Sequence, residues 1–415
     1  MNIYDFNPWW ETGTVPESLA KPKKREIYDT LRSSIEKRRI DVITGLRRVG
    51  KTTIMYQLIE TLLRNGTEPR NILYYSFDLK RQDISEVIKI YEEKILKDRM
   101  RNRKVYIFLD EIHKLKDWAD KIKIIYDLNP HVKILLSGSA SLNIMRGVSE
   151  SLAGRAKYHY LPPLTFREYL NFTDTAIPRN LEDYELYAKS LAIMFERFRY
   201  RGFPETINMD ENDAREYVRE LVVERVIYRD IPECFHIQDL EVLTILADYI
   251  LENPGVILNI ESLSSDLRRH RKTIRSALQY LEMSYIIRRI SNLRGSFLAS
   301  SRKNRRAYPE HISLCSGKDE DKVVECFVRS EINAQHYWRR GGYEVDFVIK
   351  NGAVVPIEIK NKETVGPKDL KPIRKFMELY GLKKGFVLYR GSEERELEGI
   401  TALPLLKFIL SPQHL

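Results

Sequence analysis

The sequence predicts an α/β protein: a parallel sheet covered by helices on both faces, then a mostly helical region, then a second, smaller α/β unit. Three observations predict it. Between residue 40 and about 140, apolar strand-like runs alternate with amphipathic segments of helix length, the pattern of a parallel sheet. From about 164 to 250 the apolar spacing turns helical. After a polar, basic stretch at 300–311, short strands return with helices around them.

Taken in order, residues 1–40 predict a strap and a helix, "KREIYDTLRSSIEKRR", leading into a buried strand. The strands are "DVITG" (41–45), "NILYYSF" (71–77), "KVYIFLD" (104–110) and "VKILLSGS" (132–139), with helices over roughly 51–65, 84–99 and 117–127. "RGFPE" (201–205) interrupts the helical region. Residues 240–300 read helix, helix, helix and a hairpin near "NLRG" (292–295), the order of a winged helix-turn-helix. A helix over 320–333, strands at 335–338, 343–349 and 353–359, a helix over 367–379 and the strand "GFVLY" (385–389) make the last unit.

Bulk properties narrow the class. With 415 residues, 43% of them hydrophobic and 31% charged, the chain suits about two to four globular domains and not a disordered polymer. Its net charge of +10 favours an anionic partner, nucleic acid first among them. Cys234, Cys315 and Cys326 lie too far apart for a disulfide framework or a cysteine zinc site. The first residues lack the basic and apolar regions of a signal peptide, and no run approaches a membrane span. The expectation is a soluble, reduced, cytoplasmic protein with no membrane partner.

The strongest motif is "GLRRVGKT" (45–52), which fits G-x-x-x-x-G-K-[ST] directly between a strand and a helix. Gly45 and Gly50 let backbone N–H groups, those of Arg48, Val49, Lys51, Thr52 and Thr53 among them, turn inward around phosphate at the positive helix end. Lys51 reaches the β and γ oxygens of ATP, and the Thr52 hydroxyl holds Mg²⁺. "KVYIFLDEIH" (104–113) adds a carboxylate pair at the end of a buried strand. Asp110 binds Mg²⁺ through water and Glu111 polarises the attacking water, the role that separates a hydrolase from a nucleotide holder. "ILLSGSAS" (134–141) offers Ser137 or Ser139 to the γ-phosphate or to that water, with a helix cap as the other reading. The first unit is therefore expected to be a P-loop NTPase sheet.

Together, "GLRRVGKTT", "FLDEIHKLKDW", "LLSGSAS" and "SLAGRAKYHYLPPLTFREYL" resemble the AAA-type ATPases of archaea and bacteria, in which a helical segment, a winged helix and a carboxyl-terminal domain follow the core. "GFPE" (202–205) and "VIYRDIPE" (226–233) resemble that family's lid region, and "RRAYPEH" the approach to its last domain. The resemblance implies an ATPase core over 1–163, a helical lid over 164–238, a winged helix over 239–312 and a final domain over 313–415. It also implies a sensor role for Ser139 and a γ-phosphate contact for Arg155, in cis or from a neighbouring subunit of a homo-oligomer.

In "NIESLSSDLRRHRKTIRSALQYLEMSYIIRRI" (259–290), apolar residues at helical spacing predict a compact helical core. Lys272, Thr273 and Arg275 then open a recognition helix, and Arg288, Arg289, Arg294, Arg302, Lys303, Arg305 and Arg306 continue the basic surface toward DNA. In "EVDFVIKNGAVVPIEIK" (344–360), Asn351-Gly352 signals a hairpin, and alternation puts Glu358 and Lys360 on one face. Asp346 lies in the partner strand and Glu325 in the helix ahead. This order resembles the core of restriction-endonuclease-like nucleases. The resemblance implies that Asp346 and Glu358 ligate Mg²⁺ or Mn²⁺, that Glu325 assists the metal and that Lys360 orients or activates water.

The expected function is a Mg²⁺-dependent ATPase that binds and processes DNA, with a nuclease-like last domain. The alternatives are a nucleotide switch signalling to a protein partner, and a DNA-binding regulator with a silent last domain.

Overall fold

A computed structural model describes residues 3–78, 82–138, 152–177, 183–235, 237, 239–294 and 304–411. The chain divides into two units: Met1–Pro163 with Asp230–Cys234, and Leu164–Arg229 with Phe235–Leu415. Among the described residues no helix is long and apolar enough to cross a membrane.

In the first unit, strands β1 (Ile40–Thr44), β2 (Ile72–Ser76), β3 (Val105–Asp110), β4 (Val132–Gly138) and β5 (Ala156–Tyr160) form a parallel sheet in the order β2-β3-β4-β1-β5. Strands β1 to β4 are buried at every position, as strands covered on both faces must be. Helices α1 (Ile27–Ser34), α2 (Lys51–Arg64), α3 (Ile84–Ile90) and α4 (Trp118–Leu128) accompany them. The helix expected over 84–99 is shorter: beyond Ile90 the chain winds into wider turns, Tyr91–Leu96, and Lys97 ends them in a left-handed conformation (φ 50°).

The strap fixes the edge of this sheet. Asn7 donates to the Tyr74 carbonyl (2.8 Å) and accepts the Tyr74 N–H (2.7 Å), so a side-chain amide satisfies the outward backbone of edge strand β2. At the amino end of β1, fully buried Asp41 accepts from Lys133 (2.5 Å), Arg39 (3.2 Å), Ser34 and His159 (2.7 Å). Burial pushes Asp41 up, but the bonds from His159, Lys133 and Ser34 outweigh it and hold its pKa at about 2.

In the second unit, a nine-stranded sheet has the order β13-β14-β12-β11-β10-β9-β7-β8-β6. Its strands are β6 (Val256–Leu258), β7 (Ile287–Asn292), β8 (Arg305–Pro309), β9 (His336–Arg340), β10 (Tyr343–Asn351), β11 (Ala353–Lys360), β12 (Gly385–Tyr389), β13 (Arg395–Leu397) and β14 (Ile400–Pro404). The helices are α5 (Phe166–Phe172), α6 (Tyr184–Phe198), α7 (Leu240–Glu252), α8 (Ile260–Asp266), α9 (Arg271–Met283), α10 (Glu320–Glu331), α11 (Pro367–Tyr380) and α12 (Leu405–Leu410). Over 240–309 the chain reads helix, strand, helix, helix, then two antiparallel strands. The sheet continues past residue 312, because Ser291 and Asn292 of β7 pair in parallel with His336 and Tyr337 of β9. Helices α5 and α6 enter the same core: Phe166, Tyr169, Phe195 and Phe198 pack with Phe327 of α10 and Phe408 of α12. Here "GFPE" and "RRAYPEH" meet, since a side chain at Gly202 would come within 2.4 Å of the His311 ring.

Candidate functional site

The phosphate loop follows β1 and opens α2. Gly50 takes φ 97° as its N-cap, and Arg48 is left-handed at φ 67°. Gly45 is required by contact: an added Cβ would meet the Leu161 carbonyl oxygen at 2.2 Å. Behind the loop, buried Arg25 donates to the carbonyls of Val49 (2.6 Å), Pro162 (2.9 Å) and Pro163 (3.1 Å). Lys51 is buried and curls back onto the loop, donating to the carbonyls of Gly45 (3.1 Å) and Leu46 (2.8 Å). Burial pushes its ammonium down against the pull of Glu111 and Asp110. Thr52 and Thr53 begin the helix on its partly exposed side.

Sheet order then delivers the acid. Because β4 lies between β1 and β3, Ser137 stands beside Asp110, one step beyond the Leu109–Leu136 pair. Asp110 is buried, and its Oδ2 accepts from Thr52 (2.7 Å) and Tyr74 (2.9 Å), while Oδ1 accepts from Ser137. Burial, then the Glu111 charge, pushes its carboxyl up. Glu111 is left-handed (φ 54°), and its N–H donates to Ser137 Oγ (3.3 Å). His113 Nδ1 lies 3.4 Å from Glu111 Oε2 without the alignment of a hydrogen bond. Burial pushes His113 down to about 4, so it is neutral near pH 7.

One hydroxyl and one carboxylate suit Mg²⁺, which takes few protein ligands and fills its remaining positions with phosphate and water. The glycine loop with its buried lysine suits a nucleotide phosphate chain. Tyr74, Arg25, Arg47 and Asp230 were not anticipated. Arg47 was visible only as a variable position of the motif, and the others carry no sequence signal.

Arg155 stands apart from this site. It precedes β5, its carbonyl accepts the Ile40 N–H (2.9 Å), and its guanidinium is paired with Asp127 (2.9 and 3.0 Å). That is the amino end of the sheet, about 13 Å of strand from the loop. The cis contact is therefore corrected: parallel register carries Arg155 to the wrong end. Ser139 lies outside the described residues, as do Arg302 and Lys303.

In the second unit, Glu325, Asp346, Glu358 and Lys360 come together. Asp346 Oδ2 accepts the Ile359 N–H (2.9 Å), Glu358 Oε1 takes Lys360 Nζ (2.6 Å), and Glu325 takes Lys322 Nζ (2.6 Å) and the Tyr308 hydroxyl (3.1 Å). Burial first, and the Asp346 charge second, push Glu325 up and Glu358 up to about 8, so the acids share one pocket. Arg306 enters it from β8, paired with Glu344, 4.0 Å from Asp346 Oδ1 and 4.9 Å over the Tyr337 ring. Only Glu358 Oε2 is buried without a partner among these acids.

The carboxylates expected to hold a metal, Asp346, Glu358 and Glu325, lie close enough to act on one another. Among the described residues no three His, Cys, Asp or Glu side chains are arranged to hold an ion. The acids are instead engaged by Lys322, Lys360, Tyr308, the Ile359 N–H and Arg306.

The basic surface is also smaller than expected. Arg288 is paired with Glu310 (3.0 and 3.1 Å), Arg289 with Glu282 (2.5 Å), and Arg306 is buried. Exposed Lys272 and Arg275 at the start of α9 and Arg305 at the start of β8 remain, with Arg271 bound to Glu261 at 2.5 Å.

The family described as an AAA domain matches residues 37–170, and two families described only as domains of unknown function match 194–314 and 320–408. The stretch that matches an AAA domain spans the phosphate loop and the five-stranded sheet of the first unit. An uncharacterized protein of Methanocaldococcus jannaschii is 27% identical across 99% of this chain and 94% of its own length. A second from that organism is 24% identical over 81% of this chain and 78% of its own. The structure of the Aeropyrum pernix ORC2 protein, in ADPNP-ADP complexes, overlays with a TM-score of 0.44 at 13% identity, covering 77% of this chain and 98% of that one.

Proposed function

We propose that this protein is a Mg²⁺-dependent ATPase that binds DNA and whose carboxylate pocket serves as a charge-compensated structural or docking element. The observation that supports hydrolysis most is Asp110, held by Thr52, Ser137 and Tyr74 with Glu111 next to it. In this reading Lys51 and the loop N–H groups bind the phosphates, and Thr52 and Asp110 hold Mg²⁺, which supplies charge neutralisation when bound. Glu111 accepts the proton of the attacking water, and Ser137 orients the Asp110–Glu111 pair. Lys51→Ala is expected to abolish ATP turnover, and unchanged turnover would refute the proposal.

DNA binding rests on exposed Lys272 and Arg275, on the element order over 240–309 and on the net charge of +10. One observation favours a second reading, in which the pocket cleaves DNA: the unpartnered Glu358 Oε2 beside Lys360. Metal-dependent cleavage of linear, supercoiled or branched DNA that is lost in Asp346→Ala would establish that reading. Equal products from both proteins would point to a different source.

A further inference from the structure

Arg47 occupies the third position of the phosphate loop. Its Nε donates to Asp230 Oδ2 at 2.5 Å, with only 16% and 5% of the two side chains exposed. Asp230 arrives on the short segment Asp230–Cys234, which belongs to the first unit although it lies far along the chain. Both charges lie near the reacting region. Asp230 and Arg47 each act on Lys51 and on His113, and Glu111 and Asp78 act on Arg47.

The geometry of the pair is selective. Asp230 takes Nε, while Nη1 and Nη2 make no hydrogen bond to any described residue. A guanidinium gripped at Nε loses rotational freedom but keeps two donors in a rigid fork, the shape that suits phosphate. Such preorganisation lowers the ordering cost of the phosphate contact. Arg155 cannot supply this cation in cis, being bound to Asp127 at the other end of the sheet.

We infer that Asp230 positions Arg47, and that Arg47 donates to the terminal phosphate of ATP from within the same chain. The inference rests on the nucleotide reading above and extends it to a contact that distinguishes ATP from ADP. Arg47 is the contacting residue and Asp230 the positioning residue.

The test uses the full-length protein with Arg47→Gln, Asp230→Asn, the double variant and Asp230→Glu. Affinities for Mg-ATP and Mg-ADP, kcat and KM are measured beside the thermal unfolding of each unliganded variant. Arg47→Gln is expected to lower kcat/KM for ATP about tenfold or more, with ADP affinity kept within about threefold. Asp230→Asn should shift the same quantities in the same direction, and Asp230→Glu should recover most of the loss. The double variant should be no worse than Arg47→Gln, because Asp230 acts through Arg47. A purely structural pair would lower the unfolding temperature and leave the ATP–ADP difference unchanged, which overturns the inference. Additive losses in the double variant overturn it equally. If Arg47→Gln does not fold, Arg47→Lys keeps the charge without the fork and is expected to show the same selective loss. A wild type that binds neither nucleotide refutes the nucleotide reading itself. A wild type that binds and hydrolyses ATP beside an unaffected Arg47→Gln refutes only this inference.

Discussion

Replacing Ser137 by alanine removes two contacts at once: the donor to Asp110 Oδ1 and the acceptor, at 3.3 Å, for the Glu111 N–H. Thr52 and Tyr74 still hold Oδ2, so Asp110 stays in place but can turn. A hydrogen bond to a charged group contributes roughly 1.5–3 kcal/mol. If that stabilisation acts in the transition state, kcat falls roughly ten- to hundredfold. Lys51 and the loop N–H groups are untouched, so ATP affinity should stay within about threefold. Steady-state hydrolysis and equilibrium binding separate these quantities. A kcat within about twofold of wild type would refute the role given to Ser137, and so would a loss carried wholly by affinity.

Other perturbations reach the rest of the chain. Asp41→Asn leaves Lys133 buried without its anion and should cost about 3–5 kcal/mol of stability, measured by denaturant unfolding of the first unit. Because folding holds Asp41 at about 2, below the ordinary 3.8, wild type should lose about 2 kcal/mol of stability as pH falls from 3.8 through 2. The variant should lack that dependence. Neutralising Lys272 and Arg275 together should lower the salt dependence of DNA binding by about two ions, read from affinity against salt concentration; an unchanged slope would remove α9 from the interface. Arg306→Gln should let Mn²⁺ bind the carboxylate pocket where wild type does not, as titration calorimetry would show. Equal binding by both would mean that Arg306 does not neutralise the acids.

Much of the first unit is legible in the residues, because a parallel sheet writes itself as continuous apolar runs and the phosphate loop has a fixed spelling. Strand β5 escapes that logic. It is an edge strand, with Lys157 and Tyr158 exposed and His159 buried, so it has neither an unbroken apolar run nor clean alternation. The loop, Asp110 and Ser137 were anticipated as candidates, but Tyr74 and Asp230 were not. Each reaches the site through tertiary contact across 36 and 183 residues, a separation that no local spacing encodes. Arg155 shows the converse, a plausible arginine carried away by strand direction. In the second unit the triplet of Glu358 and Lys360 was readable, whereas Arg306 lay hidden in a run of basic residues that looked like surface.

Among the described residues strands β7 and β9 are in register at two pairs, and the Asn292 side chain lengthens the seam by donating to the Arg339 carbonyl and accepting the Arg339 N–H, each at 3.1 Å. Anything that cuts or recombines the gene near codon 312 therefore severs a sheet and not a tether. The carboxyl-terminal fragment would open with β9 as a bare edge, an invitation to pair with another chain. Strands β7 and β8 and the carboxylate pocket therefore belong to one continuous sheet and are inherited together.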